Sequence, residues 1–139
     1  MMYMKKHFVQ PVILLLALWG VVGLLTYETP CGMHDGVWGS CHWAGQTLLW
    51  LYAGMTALSL IGLFIRKPGL QSALLLLTAV LALCSVLVPD TLMKLCVSTA
   101  MRCNRIMKPF ALVRGIVLTL LALAAGVVRV NRIRKGRAA

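Results

Sequence analysis

The sequence predicts an all-α membrane protein, an antiparallel four-transmembrane-helix bundle with two outer-face loops. Three observations carry that prediction. Hydrophobic residues make up 60% of the 139 positions and charged residues 12%, a balance foreign to a water-soluble domain of this size. Four segments are apolar over the roughly 20 residues needed to cross hydrocarbon, where no water satisfies an unbonded backbone. Lys and Arg outnumber Asp and Glu by 14 to 3 and gather beside those segments, where positive charge fixes orientation. Long apolar runs separate the basic residues, which argues against nucleic acid as a partner and leaves membrane lipid as the expected surroundings.

The first span is expected at about 8–27. Lys5, Lys6 and His7 precede it, a layout shared with signal peptides, but no Ala-x-Ala site follows and Glu28, Thr29 and Pro30 are unlike the approach to a lipid-attached Cys31. The span is therefore expected to be retained. The second is placed at 44–65 and the third at 70–88, joined by RKPG at 66–69, where basic anchors and a Pro-Gly pair punctuate a tight hairpin. The fourth runs from 111 to 130. Arg114 and Arg129 fall near its ends and are expected to snorkel toward the headgroups. The basic tail NRIRKGRAA follows as an anchor. The whole chain, 1–139, is read as a single four-span domain.

Four spans put both termini on one side. The amino end, the 66–69 turn and the carboxyl end are rich in Lys and Arg, whereas the loop after the first span has neither, so the termini are expected to be cytoplasmic. Small residues recur at helical spacing: Gly20 and Gly23, Ala53 and Ala57, Gly115 and Thr119, Ala122 and Gly126. These are expected to let helices approach closely. With no ionisable residue expected at mid-depth, an independent pump or ion-coupled carrier is disfavoured.

Chemistry concentrates in the two outer connections. CGMHDGVWGSCHWAG at 31–45 and LCVSTAMRCNRIMKP at 95–109 bring Cys31, Cys41, Cys96 and Cys103 to one face, where an oxidising environment favours disulfides. Three complete pairings exist and the sequence does not choose among them. Cys31 to Cys41 is the simplest, since Gly32, Gly36 and Gly39 let the chain turn back. Cys96 and Cys103 pair only if a continuous helix does not separate them by about 10 Å. Copper or zinc is the competing occupant. His34, His42, Cys31, Cys41, Met101 and Cys103 supply imidazole, thiolate and thioether donors, but at spacings unlike an established zinc motif. Neither a CxxC pair nor a triad geometry supports redox or hydrolytic chemistry, since Ser40, Cys41 and His42 are merely adjacent. Trp38, Trp43, Tyr27 and Tyr3 are expected at the membrane interfaces. Asp35 is expected to cap a turn, and Glu28 to pair with Arg102 or Arg105 across the loops.

Pro30, Cys31, Gly32, Met33 and His34, then Ser40 to Ala44, then Met101, Arg102 and Cys103 with Ile106, Met107, Lys108 and Pro109, occur in an order that resembles the bacterial domain-of-unknown-function family 4418. The resemblance spans nearly the whole chain. It implies a small polytopic protein of the bacterial inner membrane, of a family sometimes associated with transporter-like systems, with an important outer-face cluster. It supplies no catalytic roles. The expected function is therefore non-enzymatic: an accessory or structural protein with a cysteine-stabilised contact surface, no resident cofactor, and a second copy or an ABC-type transporter permease as partner. The alternative is an outer-face metal-binding or thiol-redox protein.

Overall fold

Tertiary placement of the four apolar segments comes from a computed structural model, which describes residues 2–27, 36, 40–88, 91 and 103–138. They form four helices: α1 (Met2–Leu25), α2 (Ser40–Phe64), α3 (Pro68–Leu87) and α4 (Lys108–Ala138), the last entered through a π-helical turn at Cys103–Met107. Each contains a stretch long and apolar enough to cross a membrane, at Phe8–Leu25, His42–Phe64, Pro68–Leu87 and within Arg105–Arg137. The protein is a multi-pass membrane protein built as a four-helix bundle.

Local chemistry explains the ends. Lys67 holds an extended backbone (φ −72°, ψ 119°) just before Pro68, whose fixed φ and missing N–H suit the first turn of α3. Pro11 lies inside α1, because the helix begins at Met2, ahead of the apolar stretch that starts at Phe8. A proline there leaves the carbonyl four residues back without its helical donor, a cost tolerated where neighbouring groups compensate. At the other end of the chain, α4 runs on to Ala138 through the basic tail, beyond the expected end at 130. Arg and Lys are good helix formers, and Lys135 and Arg137 in the last turn complement the helix dipole.

Each helix turns one stripe inward at alternating three- and four-residue spacing. On α1 it is Gln10, Ile13, Ala17, Gly20 and Leu24; on α2 Leu48, Tyr52, Met55, Ser59 and Gly62; on α4 Ala111, Arg114, Leu118, Ala122 and Gly126. Leu75, Ala79 and Ala82 of α3 complete the core. Large residues such as Leu15, Val22, Trp50, Phe64, Val113 and Leu120 point outward, as a lipid-facing surface requires. Since lipid tails are as apolar as leucine, close packing and not the burial of oily surface must hold these helices together.

Glycine makes the closest approaches. A β-carbon on Gly20 would lie 2.8 Å from Cγ of Tyr52, and one on Gly115 would lie 2.5 Å from Val86 Cγ2 and 2.9 Å from Ser85 Oγ. Both belong to the small-residue pairs expected at crossings. Ala57, expected at one too, faces outward instead. Contacts also order the helices. Gly20 meets Tyr52 while Gly62 meets Gln10, and Gly115 meets Ala82 and Ser85 while Gly126 meets Leu75 and Leu76, so numbering rises along one helix as it falls along its neighbour. α3 packs most extensively on α4 and α1 on α2, whereas the seam between α1 and α4 is the sparsest of the four.

Candidate functional site

Two clusters of buried polar groups lie at opposite ends of the bundle. The first surrounds Arg114. At 1.5 Å per residue it stands about 9 Å along α4 from Lys108, and on the inward stripe between Ala111 and Leu118 it is only 4% exposed. Its guanidinium carbon lies 4.8 Å from the centre of the Trp19 ring and 5.5 Å from that of Tyr52. Where snorkelling would extend the side chain outward, it is held instead among rings of α1 and α2. The ring quadrupoles offset part of the lost hydration, a contribution of about 2 kcal/mol when the pair is shielded from water.

Aromatic contacts extend this cluster toward the end of the bundle where α1 finishes and α4 begins. Trp19 donates its Nε1–H to the Tyr27 hydroxyl at 2.6 Å, and the Tyr27 ring stands edge-on to Phe110 at 5.9 Å between centroids. Together they tie the end of α1 to the first turn of α4 across the sparsest seam. A cavity of about 240 Å³ lies beneath, lined by Leu16, Trp19, Phe110, Val113, Arg114 and Val117. The cluster thus positions a guanidinium against aromatic rings from two other helices.

Those sequence-predicted site residues that are described lie at the same end. Cys41 falls in the first turn of α2, and Cys103 opens the π-helical turn that leads into α4. His42 is half-buried with its ring edge-on to Trp43, 5.6 Å between centroids, and Arg105 is exposed on the π-helical turn. Trp43 and Tyr27 are both exposed, as interfacial anchors would be. Gly36 holds φ +77°, a left-handed conformation that suits the turn expected between Cys31 and Cys41. Glu28, Cys31, His34, Asp35, Cys96, Met101 and Arg102 lie outside the described residues, as does Trp38. Among the described residues, no three His, Cys, Asp or Glu side chains converge as metal ligands. Cys84 is a half-buried free thiol of α3.

The second cluster sits at the end that carries the α2–α3 turn. Gln10 is 3% exposed. Its Nε2–H reaches the Ser59 carbonyl at a long 3.4 Å, and its Oε1 is buried without a hydrogen-bond partner. Gln71 donates from Nε2 to the Gly62 carbonyl at 3.1 Å. Gly62 admits Gln10 at close range: a β-carbon there would lie 2.5 Å from Nε2. Half-buried Arg129 and exposed Arg66 border the same space. Between the two clusters the inward stripes are apolar, apart from hydroxyls bonded within their own helix, such as Thr78 to the Leu74 carbonyl.

Trp19, Tyr52, Gln10 and Gln71 are the site residues that sequence reasoning missed. A signal existed for two of them. A glutamine in an otherwise apolar span is itself costly to bury and so marks an inward face. Nothing in the sequence matched Arg114 to rings on two other helices.

A family model described as a domain of unknown function (DUF4418) matches residues 11–128, and the chain belongs to that family. No curated protein and no solved structure matches it.

Proposed function

We propose that this DUF4418 protein is a non-enzymatic accessory or structural protein of a bacterial inner membrane, with both termini cytoplasmic. Its outer connections form a contact surface held by disulfides among Cys31, Cys41, Cys96 and Cys103, and its partner is an ABC-type transporter permease. One observation supports this reading above the others. Buried polar side chains at the two ends are separated by an apolar middle layer that includes Ile13, Ala17, Met55, Ala79, Leu118 and Ala122. A carrier or channel acting alone needs polar groups along its path at mid-depth. The helices described here offer a scaffold instead, with small residues at their crossings. Orientation follows from the basic residues at the termini and the α2–α3 turn, set against an α1–α2 connection without Lys or Arg.

Extraction in a mild detergent after in-cell cross-linking tests the partnership. A permease recovered at near-equal stoichiometry is the expected result. A chain that stays monomeric without a membrane partner overturns the reading, and a cross-linked second copy replaces the permease with self-association. Intact-protein mass spectrometry with thiol trapping tests the surface. Four bridged cysteines, with Cys84 as the one trapped thiol, are expected. Reduced outer cysteines carrying stoichiometric copper or zinc would instead support the metal-binding alternative.

A further inference from the structure

The outward face of α2 differs from the other lipid-facing surfaces of the bundle. Among the described residues, Gln46 is the single exposed hydroxyl, amide or charged side chain within the apolar stretches Phe8–Leu25, His42–Phe64 and Pro68–Leu87 and between Phe110 and Val128 of α4. We propose that a second copy of the chain docks on this face, α2 against α2, with the two Gln46 amides bonded to each other. An amide carries both a donor and an acceptor, so it is its own complement across a two-fold axis. Two copies inserted the same way round pair in parallel, and each residue of the seam meets its counterpart at the same depth. Within hydrocarbon, where no water competes for the amide, such a pair holds two helices together.

Spacing and area on the face suit that partner. Gln46, Trp50, Ala53, Ala57 and Leu60 follow one another at alternating four- and three-residue steps, the seam of a parallel, left-handed helix pair. The opposite stripe of α2, with Leu48, Tyr52 and Met55, is the one packed into the bundle. Ala53 and Ala57 leave room for the Trp50 ring of the other copy to insert. Trp50 itself lies roughly 10 Å along the helix from Trp43, deeper than the belt where tryptophan anchors at headgroups, and it is 75% exposed. Large aromatic side chains cover about 150–250 Å² each, so Trp43, Trp50 and Phe64, at 57%, 75% and 80% exposed, offer roughly 400 Å² per copy between them. With Gln46, Ala57, Leu60 and Ile61, all exposed, the face approaches the roughly 800 Å² per partner of a stable interface. The seam lies on α2 and not on the outer connections, so a second copy held here neither requires nor excludes a permease held there.

Sedimentation equilibrium of the purified full chain in a neutral detergent, at rising protein-to-detergent ratio, tests the seam. A dimer is expected. Gln46→Leu nearly keeps the volume and removes the amide, and is expected to raise the dimer dissociation constant about tenfold. Ala57→Leu fills the space beside Trp50 and is expected to raise it about tenfold or more. Both positions are exposed, so each variant is expected to keep the fold of the monomer, which circular dichroism checks. Val80→Leu, on the outward face of α3, is the control and is expected to leave dissociation unchanged. A chain that is monomeric at every ratio, a dimer that either seam variant leaves intact, or an equal loss from Val80→Leu overturns the proposal. A monomer that still brings a permease out of the membrane fails this seam alone and leaves the partnership standing.

Discussion

Arg114 and Arg129 lie on the same helix and face the same physical problem, a guanidinium among apolar side chains, and the bundle treats them differently. Arg114 is enclosed: rings from α1 and α2 lie against it, and Gly115 beside it lets α3 press close. Arg129 stands at the margin of a cavity shared with Gln10, Gln71 and Arg66, where Gln10 Oε1 has no hydrogen-bond partner. The difference teaches that burial of a charge does not by itself mark a ligand site. At Arg114 the protein supplies the surroundings itself, through the aromatic faces. Arg129 instead lines a space to which all four helices contribute, with Arg66 of the α2–α3 turn on the same border.

The largest effect expected from breaking this comparison comes from the helix seam at each end. Gly115→Val forces a branched side chain against Val86, Ser85 and the Ala82 carbonyl, backbone that cannot move aside, and is expected to lower stability by about 3 kcal/mol. The matching change at the other end, Gly126→Val, meets side chains alone, Leu76 at 3.1 Å and Leu75 at 3.8 Å, and is expected to cost about 1 kcal/mol. Reversible unfolding in mixed micelles reads both. Equal losses would show that the two ends are packed alike.

Trp19→Ala comes next. It removes a ring that lies against Arg114 and is expected to lower stability by about 2 kcal/mol, with Arg114→Lys costing about half as much because an ammonium lacks the planar face that stacks on rings. An unchanged unfolding midpoint for Trp19→Ala would show that Arg114 does not depend on that ring. Tyr27→Phe deletes only the hydroxyl that accepts from Trp19 Nε1, and a loss of about 0.5–1 kcal/mol is expected from the same measurement.

The smallest effects on stability belong to the cavity end. Gln10→Leu removes an unmet buried acceptor and one long hydrogen bond while keeping the volume, so stability is expected to stay within about 1 kcal/mol of wild type. Arg66→Gln on the exposed turn is expected to change it by less than about 0.5 kcal/mol. Circular dichroism melts of the two variants check this. A large loss at either position would make the cavity a structural feature held together by its own side chains.

Much of the fold was legible because its signal is compositional. Length and apolarity placed all four spans, and RKPG placed the α2–α3 turn with Pro68 at the start of α3. Gly20, Gly115 and Gly126 were legible as crossing residues, whereas Gly62 was not, since its partner is a glutamine on α1 and not a second small residue on its own helix. Helices α1 and α4 continue past the apolar stretches that the spans were read from, because helix formation needs no hydrocarbon and Lys and Arg sustain it. The candidate site was legible only as a set of residue types. His42, Arg105 and the backbone positions of Cys41 and Cys103 fall at one end, while the ring partners of Arg114 came from elsewhere in the chain.

The sequence by itself determined that this chain forms four apolar helices, and the chain belongs to DUF4418 over residues 11–128. What it did not determine is which way each helix turns. A soluble helix declares its inner face by apolar residues on one side and polar residues on the other. These helices are apolar all round, since lipid accepts the same side chains as the core. The rotation that puts Arg114 against Trp19 and Tyr52, and brings Gln10, Gln71 and Arg129 to one space, was therefore decided by close packing at Gly20, Gly62 and Gly115 in the assembled bundle.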